Sequence, residues 1–335
     1  VNNLTWFENG EVHNNPQTFI ENIDKLPYPA RHLLNMEGYI QIGALQGITN
    51  KGKRPTTMIT SRGCPAKCVF CSIHSVWGRK FRGHSPEYVL KELQELHDKY
   101  KINHIVFEDD NIKLNKKRAE TIFQGMIERE FNFSWDAPNG VALCALDENL
   151  LTLCRKSGCY LIALAIESGD PHTLKHVINK PLKLEKVKPI VQKCRELGIR
   201  TIGFFVIGLP GETMEAMQRS LGFAMDLKVD SLGIMIATPY PGTALYNICQ
   251  ENGYLSENFQ IEKLMTRIGQ ISTPDFTPKD VENLVNITLF RQAIKRPVKT
   301  IHRVFEKFRA SPKQVFVFTI KKVVAVIVGT SKKQN

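Results

Sequence analysis

The chain has 335 residues, 42% apolar and 23% charged, which suits one barrel-sized domain with appendages and excludes disordered, fibrous and small disulfide-scaffold proteins. The formal charge of +12 is uneven: residues 291–335 hold twelve Lys or Arg against a single acid, Glu306, so the tail is the basic element and the body is nearly neutral. With no signal segment and no run of about 18 apolar residues to span a bilayer, a reducing cytoplasm is the expected compartment, with a peripheral membrane location left open.

From residue 56 onward, short apolar runs alternate with helical periodicity. TTMIT (56–60) reads as a strand that runs into SRGCPAKCVFCSIH (61–74). A helix follows with Ser85 as N-cap, Pro86 at its first position, and Val89, Leu93, Leu96 and Tyr100 on one face. HIVFE (104–108) is a second strand, and residues 116–129 a helix with Ala119, Ile122, Phe123 and Met126 inward. FSWDA (133–137) is a third strand, followed by a helix over 147–157 and the strand YLIALAIE (160–167). A helix over 184–197 lines up Leu184, Val187, Val191 and Cys194 before Gly198 ends it. RTIGFFVIG (200–208), a helix from Glu212 to about Leu227, and DSLGIMIA (230–237) complete six strand-helix units.

Strands apolar on both faces and helices in alternation predict an α/β fold, a parallel sheet wrapped by helices and curled into a partial barrel. The expected division is a lead segment over 1–50, a core barrel over 51–262 and a mainly helical, basic extension over 263–335. Ligand chemistry in such a fold gathers at the C-terminal ends of the strands. The cysteine loop, EDDN (108–111), ESG (167–169), GLPGET (208–213) and TPYPGT (238–243) all follow strands and so share that rim.

Three thiols in eight positions invite two assignments. Three thiolates leave the fourth iron of a 4Fe-4S cube open. Alternatively, Cys64, Cys68, Cys71 and His74 form a Cys-Cys-Cys-His zinc set, although zinc sites usually recruit two separated pairs. Cys144, Cys154, Cys159, Cys194 and Cys249 read as small buried apolar residues.

Cys64-x3-Cys68-x2-Cys71, with Phe70 before the last cysteine, resembles the signature of the radical S-adenosylmethionine (SAM) superfamily, whose core is a six-unit partial barrel. The resemblance implies that the open iron binds SAM and that one electron cleaves the sulfonium to methionine and a 5′-deoxyadenosyl radical, which abstracts hydrogen from a substrate. It implies a reductant such as a flavodoxin or ferredoxin. Asp109 and Asp110 stand where the superfamily commonly has a Gly-Gly-Glu stretch contacting the methionine amino group, though the turn also reads as an ordinary solvated loop. Glu167 and Ser168 stand where relatives contact the ribose or amino acid part of SAM. Gly208 and Gly211, with Pro210 and Glu212, resemble the fifth-strand motif that lets the backbone approach the adenosine.

LPYPARHLL (26–34), RGCPAKCVFCS, IESG, GLPGET and TPYPGT look like the branch whose members carry a cobalamin-binding domain ahead of the barrel. No Asp-x-His-x-x-Gly stretch occurs here, so cobalamin is expected on a domain upstream of Val1, or the protein works without it; the missing initiator Met favours truncation. The expected reaction is methyl transfer or ring formation on a lipid or tetrapyrrole-like molecule. The alternatives are an RNA-modifying radical enzyme using the basic tail and a non-catalytic zinc protein. RQAIKRPVKTIHRVFEKFRA (291–310) suits an anionic membrane, nucleic acid or the barrel surface; its scarcity of aromatic platforms disfavours nucleic acid.

Overall fold

A computed structural model describes residues 2–43 and 52–295. Six strands, β1 (Pro55–Met58), β2 (His104–Phe107), β3 (Ser134–Val141), β4 (Cys159–Glu167), β5 (Arg200–Ile207) and β6 (Ser231–Ile236), form one parallel sheet whose spatial order follows chain order. β1 and β6 sit at opposite edges of that sheet, so the architecture is the expected open, partial barrel. Pro55 opens edge strand β1, where its missing N–H costs least.

Between and after the strands run α1 (Pro86–Asp98), α2 (Lys116–Glu128), α3 (Glu148–Lys156), α4 (Val187–Glu196), α5 (Met214–Asp226), α6 (Ala244–Glu251) and α7 (Pro278–Lys295). Polar caps set several starts: Ser85, Asn115, Asp147, Thr213 and Thr243 each accept a first-turn N–H with their side chains. Of the expected apolar stripes, Val89, Leu93 and Leu96 on α1 and Ala119, Ile122, Phe123 and Met126 on α2 are buried, while Tyr100 lies beyond the end of α1 and is half-buried. Trp135 of β3 fills the layer beneath, stacked on Phe123 (4.8 Å) and edge-on to Phe107 (5.4 Å).

Three departures have physical causes. Pro138 lies inside central strand β3 and cannot donate to the ladder; the register shifts between Ala137 and Val141 accommodate it and lengthen the strand beyond residue 137. A hairpin of Thr5–Glu8 and Glu11–Asn14 precedes the barrel, turning through Asn9 and Gly10, both with positive φ, as an Asn-Gly turn allows. Cys144 is exposed rather than buried, because the 3-10 turn Leu143–Ala145 buries Leu143 instead; Cys154, Cys159, Cys194 and Cys249 are buried as expected.

The lead segment is pinned to α1. Arg31 pairs with Glu92 at 2.7 Å, both largely buried, Tyr28 packs edge-on against Tyr88 (4.6 Å), and Asp24 accepts from the Ser85 N–H (2.9 Å). The chain separates into two compact units, Val1–Glu282 and Asn283–Asn335. Among the described residues, no helix is long and apolar enough to cross a membrane. The apolar runs VFVFTI (315–320) and VVAVIVG (323–329), which read from sequence as strands or a surface anchor, lie outside the described residues, as does most of the basic tail.

Candidate functional site

β1 leads through Ser61–Arg62, paired antiparallel with Arg82–Gly83, into the cysteine loop. The exit is held from two sides. Asp109 turns its carboxylate inward and accepts from the Thr60 N–H (3.0 Å), the Thr60 hydroxyl (2.8 Å) and the Ser61 hydroxyl. Arg118 of α2 donates from Nε to the His84 carbonyl (2.6 Å) and from Nη2 to the Thr60 carbonyl (2.7 Å). Gly63 then turns with φ +84°; a Cβ there would stand 2.3 Å from the Lys80 carbonyl oxygen, so no side chain fits.

The loop itself is strapped down at its centre. The Val69 N–H donates to the Ile178 carbonyl (3.2 Å), the Val69 carbonyl accepts from the Leu245 N–H (2.9 Å), and the Cys71 N–H donates to the Cys68 carbonyl (3.1 Å). Cys64, Phe70, Cys68 and Cys71 are all half-buried, and the three thiols are free. Burial pushes the Cys68 thiol up to about 11, with Glu167, Cys71 and Cys64 adding to the shift and Lys180 opposing it. Burial also raises Cys71, against the Ile73 N–H and together with Cys64, Asp110 and Glu167. The Cys68 and Cys71 thiols therefore hold their protons at neutral pH, and iron, which takes thiolate, would displace them.

Those mutual charge effects place Cys64, Cys68, Cys71, Asp110, Glu167 and Lys180 in one locality. Among the described residues, no three Cys, His, Asp or Glu side chains converge on a single-ion position. His74 instead sets its Nε2 3.2 Å from the Arg79 guanidinium, which gives the Cys-Cys-Cys-His zinc assignment no convergent set. Three thiols within one loop suit a four-iron cube, in which each thiolate takes its own corner.

Glu167 ends β4 in the left-handed region, φ +70°, where the β4–β5 register shifts. A non-glycine residue held there costs on the order of 1–3 kcal/mol and persists only where its surroundings fix it. Here the fixing partner is Lys180, whose Nζ donates to Glu167 Oε1 at 3.1 Å, both side chains being nearly buried. Lys180 arrives by way of a π-helix, Thr173–Ile178, ended by Asn179 at φ +63°; such wide turns recur at functional sites. No periodicity in the sequence marks Lys180.

Ser168 turns away from the rim. Its hydroxyl donates to Ser220 Oγ of α5 (3.2 Å) and accepts from the Asp170 N–H (3.1 Å). Asp110 faces the cysteine loop, with the Gly63 N–H as a partner; burial and the neighbouring Asp109 push it up to about 6. Asn139, turned out by the Pro138 bulge, donates to the Glu108 carbonyl (2.9 Å) and carboxylate (3.1 Å), a rim contact that follows from the proline rather than from any motif.

Gly208 and Gly211 both have positive φ, in the turn after β5. Glu212 closes that turn: its Oε2 accepts from the Leu209 N–H (2.9 Å), while its Oε1 is buried without a partner. Burial pushes its carboxyl up to about 7. The structure thus gathers the cysteines, Asp110 and Glu167 together, and turns Asp109 and Ser168 into the scaffold that holds them.

A family model described as the radical SAM superfamily matches residues 58–224. A cytidylyl-2-hydroxyethylphosphonate methyltransferase of Streptomyces wedmorensis is 36% identical over 258 residues, covering 75% of this chain and 48% of that protein. An anaerobic magnesium-protoporphyrin IX monomethyl ester cyclase of Rubrivivax gelatinosus is 29% identical over 244 residues, 73% of this chain and 42% of the relative. The chain spans about half the length of the curated relatives it matches. A solved radical SAM methyltransferase, TsrM of Kitasatospora setae with tryptophan and a SAM analogue bound, shares the fold at TM-score 0.57 and 18% identity, over 67% of this chain and 42% of that one.

Proposed function

Because this chain belongs to the radical SAM superfamily, we propose that it is a radical enzyme whose cysteines hold a 4Fe-4S cluster and whose adjoining rim binds SAM. The observation that carries the proposal is the strapped three-thiol loop beside the strained, ion-paired Glu167. When bound, the cluster supplies the electron that splits the sulfonium of SAM into methionine and a 5′-deoxyadenosyl radical, which takes hydrogen from the substrate.

Each residue then has a task. Cys64, Cys68 and Cys71 would hold the cluster with SAM bound beside it, and Phe70 would shield the third cysteine from water. Glu167 and Asp110 accept from the ammonium of the methionine portion, and Lys180 donates to its carboxylate, so the Glu167–Lys180 pair meets a zwitterion with complementary charges. Gly208 and Gly211 bring backbone close to the adenosine. Asp109 and Ser168 are positioning residues, acting through the Thr60–Ser61 exit and the turn onto α5. We assign this chemistry to residues 51–262.

The methyltransferase and cyclase relatives support methyl transfer or ring formation over modification of RNA; of the two substrate classes, a lipid or a tetrapyrrole-like molecule, the cyclase supports the second. Cobalamin, where such a reaction draws on it, would be bound by a domain outside these residues. The electron donor is of flavodoxin or ferredoxin type, and the basic tail makes peripheral contact with an anionic membrane.

Anaerobic reconstitution with iron and sulfide, then dithionite and SAM, tests the proposal. The expected product is 5′-deoxyadenosine from a chain carrying four irons; a chain that takes up zinc and no iron under those conditions overturns it.

A further inference from the structure

α7 is apolar on two sides. Its start is well capped: Thr277 donates from its hydroxyl (2.6 Å) and N–H (3.0 Å) to Asp280 Oδ2, and Pro278 takes the first helical position. One side holds buried Val281, Val285 and Thr288. The other presents Ile287, Phe290 and Ile294, three and four residues apart and therefore in one stripe, 50%, 66% and 62% exposed. Single exposed apolar residues are ordinary; a stripe of three on one helix face is not. Exposed Arg291 and Lys295 flank it. The sequence beyond Lys295 adds ten Lys or Arg and one acid.

Charge selects the occupant. A second copy of the chain would bring two strongly cationic tails together. Nucleic acid would meet the cations and leave the apolar stripe in water, with one aromatic ring to stack. An anionic bilayer surface serves both, offering acyl depth to the stripe and phosphate to the cations. We infer that the Ile287–Phe290–Ile294 face of α7 lies on an anionic lipid surface, with Arg291 and Lys295 at headgroup level. This rests on the membrane contact proposed above, which it sharpens by naming the face, and on no step of the radical chemistry.

The test is co-sedimentation of the full chain with vesicles of phosphatidylcholine, alone or mixed with phosphatidylglycerol. The wild-type chain partitions onto the mixed vesicles only. The triple variant Ile287→Gln, Phe290→Gln, Ile294→Gln loses about tenfold or more in partition and keeps its 5′-deoxyadenosine formation in solution. A control pair in the first unit, Ile261→Gln with Met265→Gln, partitions as wild type. Phe290→Trp, independently, shifts its emission to the blue on mixed vesicles.

Equal partition of the triple variant and wild type overturns the assigned face while leaving membrane contact through the tail. Absence of wild-type partition overturns both. Wild-type binding to RNA in place of vesicles, or a dimer that the triple variant abolishes, assigns the face to another occupant and overturns the inference. An unshifted Phe290→Trp emission does the same even where the triple variant fails to fold.

Discussion

The two ends of the barrel hold their buried polar groups differently, though neither pairs every atom: His104 Nε2 and Asp136 Oδ1 at one end and Glu212 Oε1 at the other have no hydrogen-bond partner. At the N-terminal ends of β2, β3 and β4 the groups turn toward one another. His104 sets Nδ1 2.9 Å from Ser134 Oγ, Tyr160 donates to Asp136 Oδ2 (2.7 Å), and His104 Nε2 stands 3.6 Å from the same oxygen. Burial, then Asp136, pushes the Tyr160 phenol up. At the C-terminal ends the groups are strained or incompletely matched: Glu167 at φ +70°, Glu212 with an unpartnered oxygen, Asp110 pushed up to about 6, and three free thiols. Polar groups that answer each other stabilise a fold, whereas groups held against their preference retain capacity for a ligand.

Replacement of Cys64, Cys68 or Cys71 by Ala breaks the comparison most sharply. Each variant is expected to lose cluster assembly entirely, read as iron content and visible absorption after anaerobic reconstitution, with far-ultraviolet dichroism unchanged. A variant with full iron occupancy would remove that cysteine from the site.

Next in size is a pH effect at the rim. The folded pKa of Glu212, about 7, lies above its ordinary 4.5, so the folded chain holds the proton across that window and the unfolded chain does not. Stability is highest below about pH 4.5 on this account and falls as pH rises through about 7, by on the order of 3 kcal/mol. Urea unfolding of the full chain on either side of the window should show the fall, and Glu212→Gln should remove the part of it that Glu212 contributes. Asp110, raised for a similar reason, leaves a smaller slope of the same sign.

At the base, Asp136→Ala strands the Tyr160 hydroxyl and is expected to cost on the order of 1–3 kcal/mol in urea unfolding. Iron loading per folded molecule should be unchanged; a loss of loading would show that the two ends are coupled. The smallest effect expected is that of Glu167→Gln, which keeps the shape and removes the charge. About a tenfold loss of SAM affinity, near 1.4 kcal/mol, should appear in equilibrium dialysis with the cluster intact. Unchanged affinity would take Glu167 out of the ligand's reach.

Much of the fold was legible because its elements are locally specified. Ser85 and Pro86 start α1 by capping and φ preference alone, and Val89, Leu93 and Leu96 declare its buried face. The cysteine triad was equally legible, since three thiols at that spacing lie in one loop whatever surrounds them. Other residues were legible in identity but not in direction. Asp109 and Asp110 are adjacent in chain, yet one carboxylate is consumed by Thr60 and Ser61 while the other faces the loop. Glu167 and Ser168 diverge in the same way. Period-two alternation at a strand end says that neighbours point apart, not which of them meets the site.

Propensity, capping and spacing act over a few residues, and so the six strand-helix units, the rim on which the loaded segments fall and the three thiols follow from the chain alone. Tertiary structure alone decided that Lys180 reaches Glu167, that the Pro138 bulge brings Asn139 to Glu108, that Val69 is strapped between Ile178 and Leu245, and that Ile287, Phe290 and Ile294 of α7 are exposed. These contacts join residues far apart in the chain, or depend on a turn whose width or handedness no local pattern encodes. They exist only once the sheet has fixed where each segment ends.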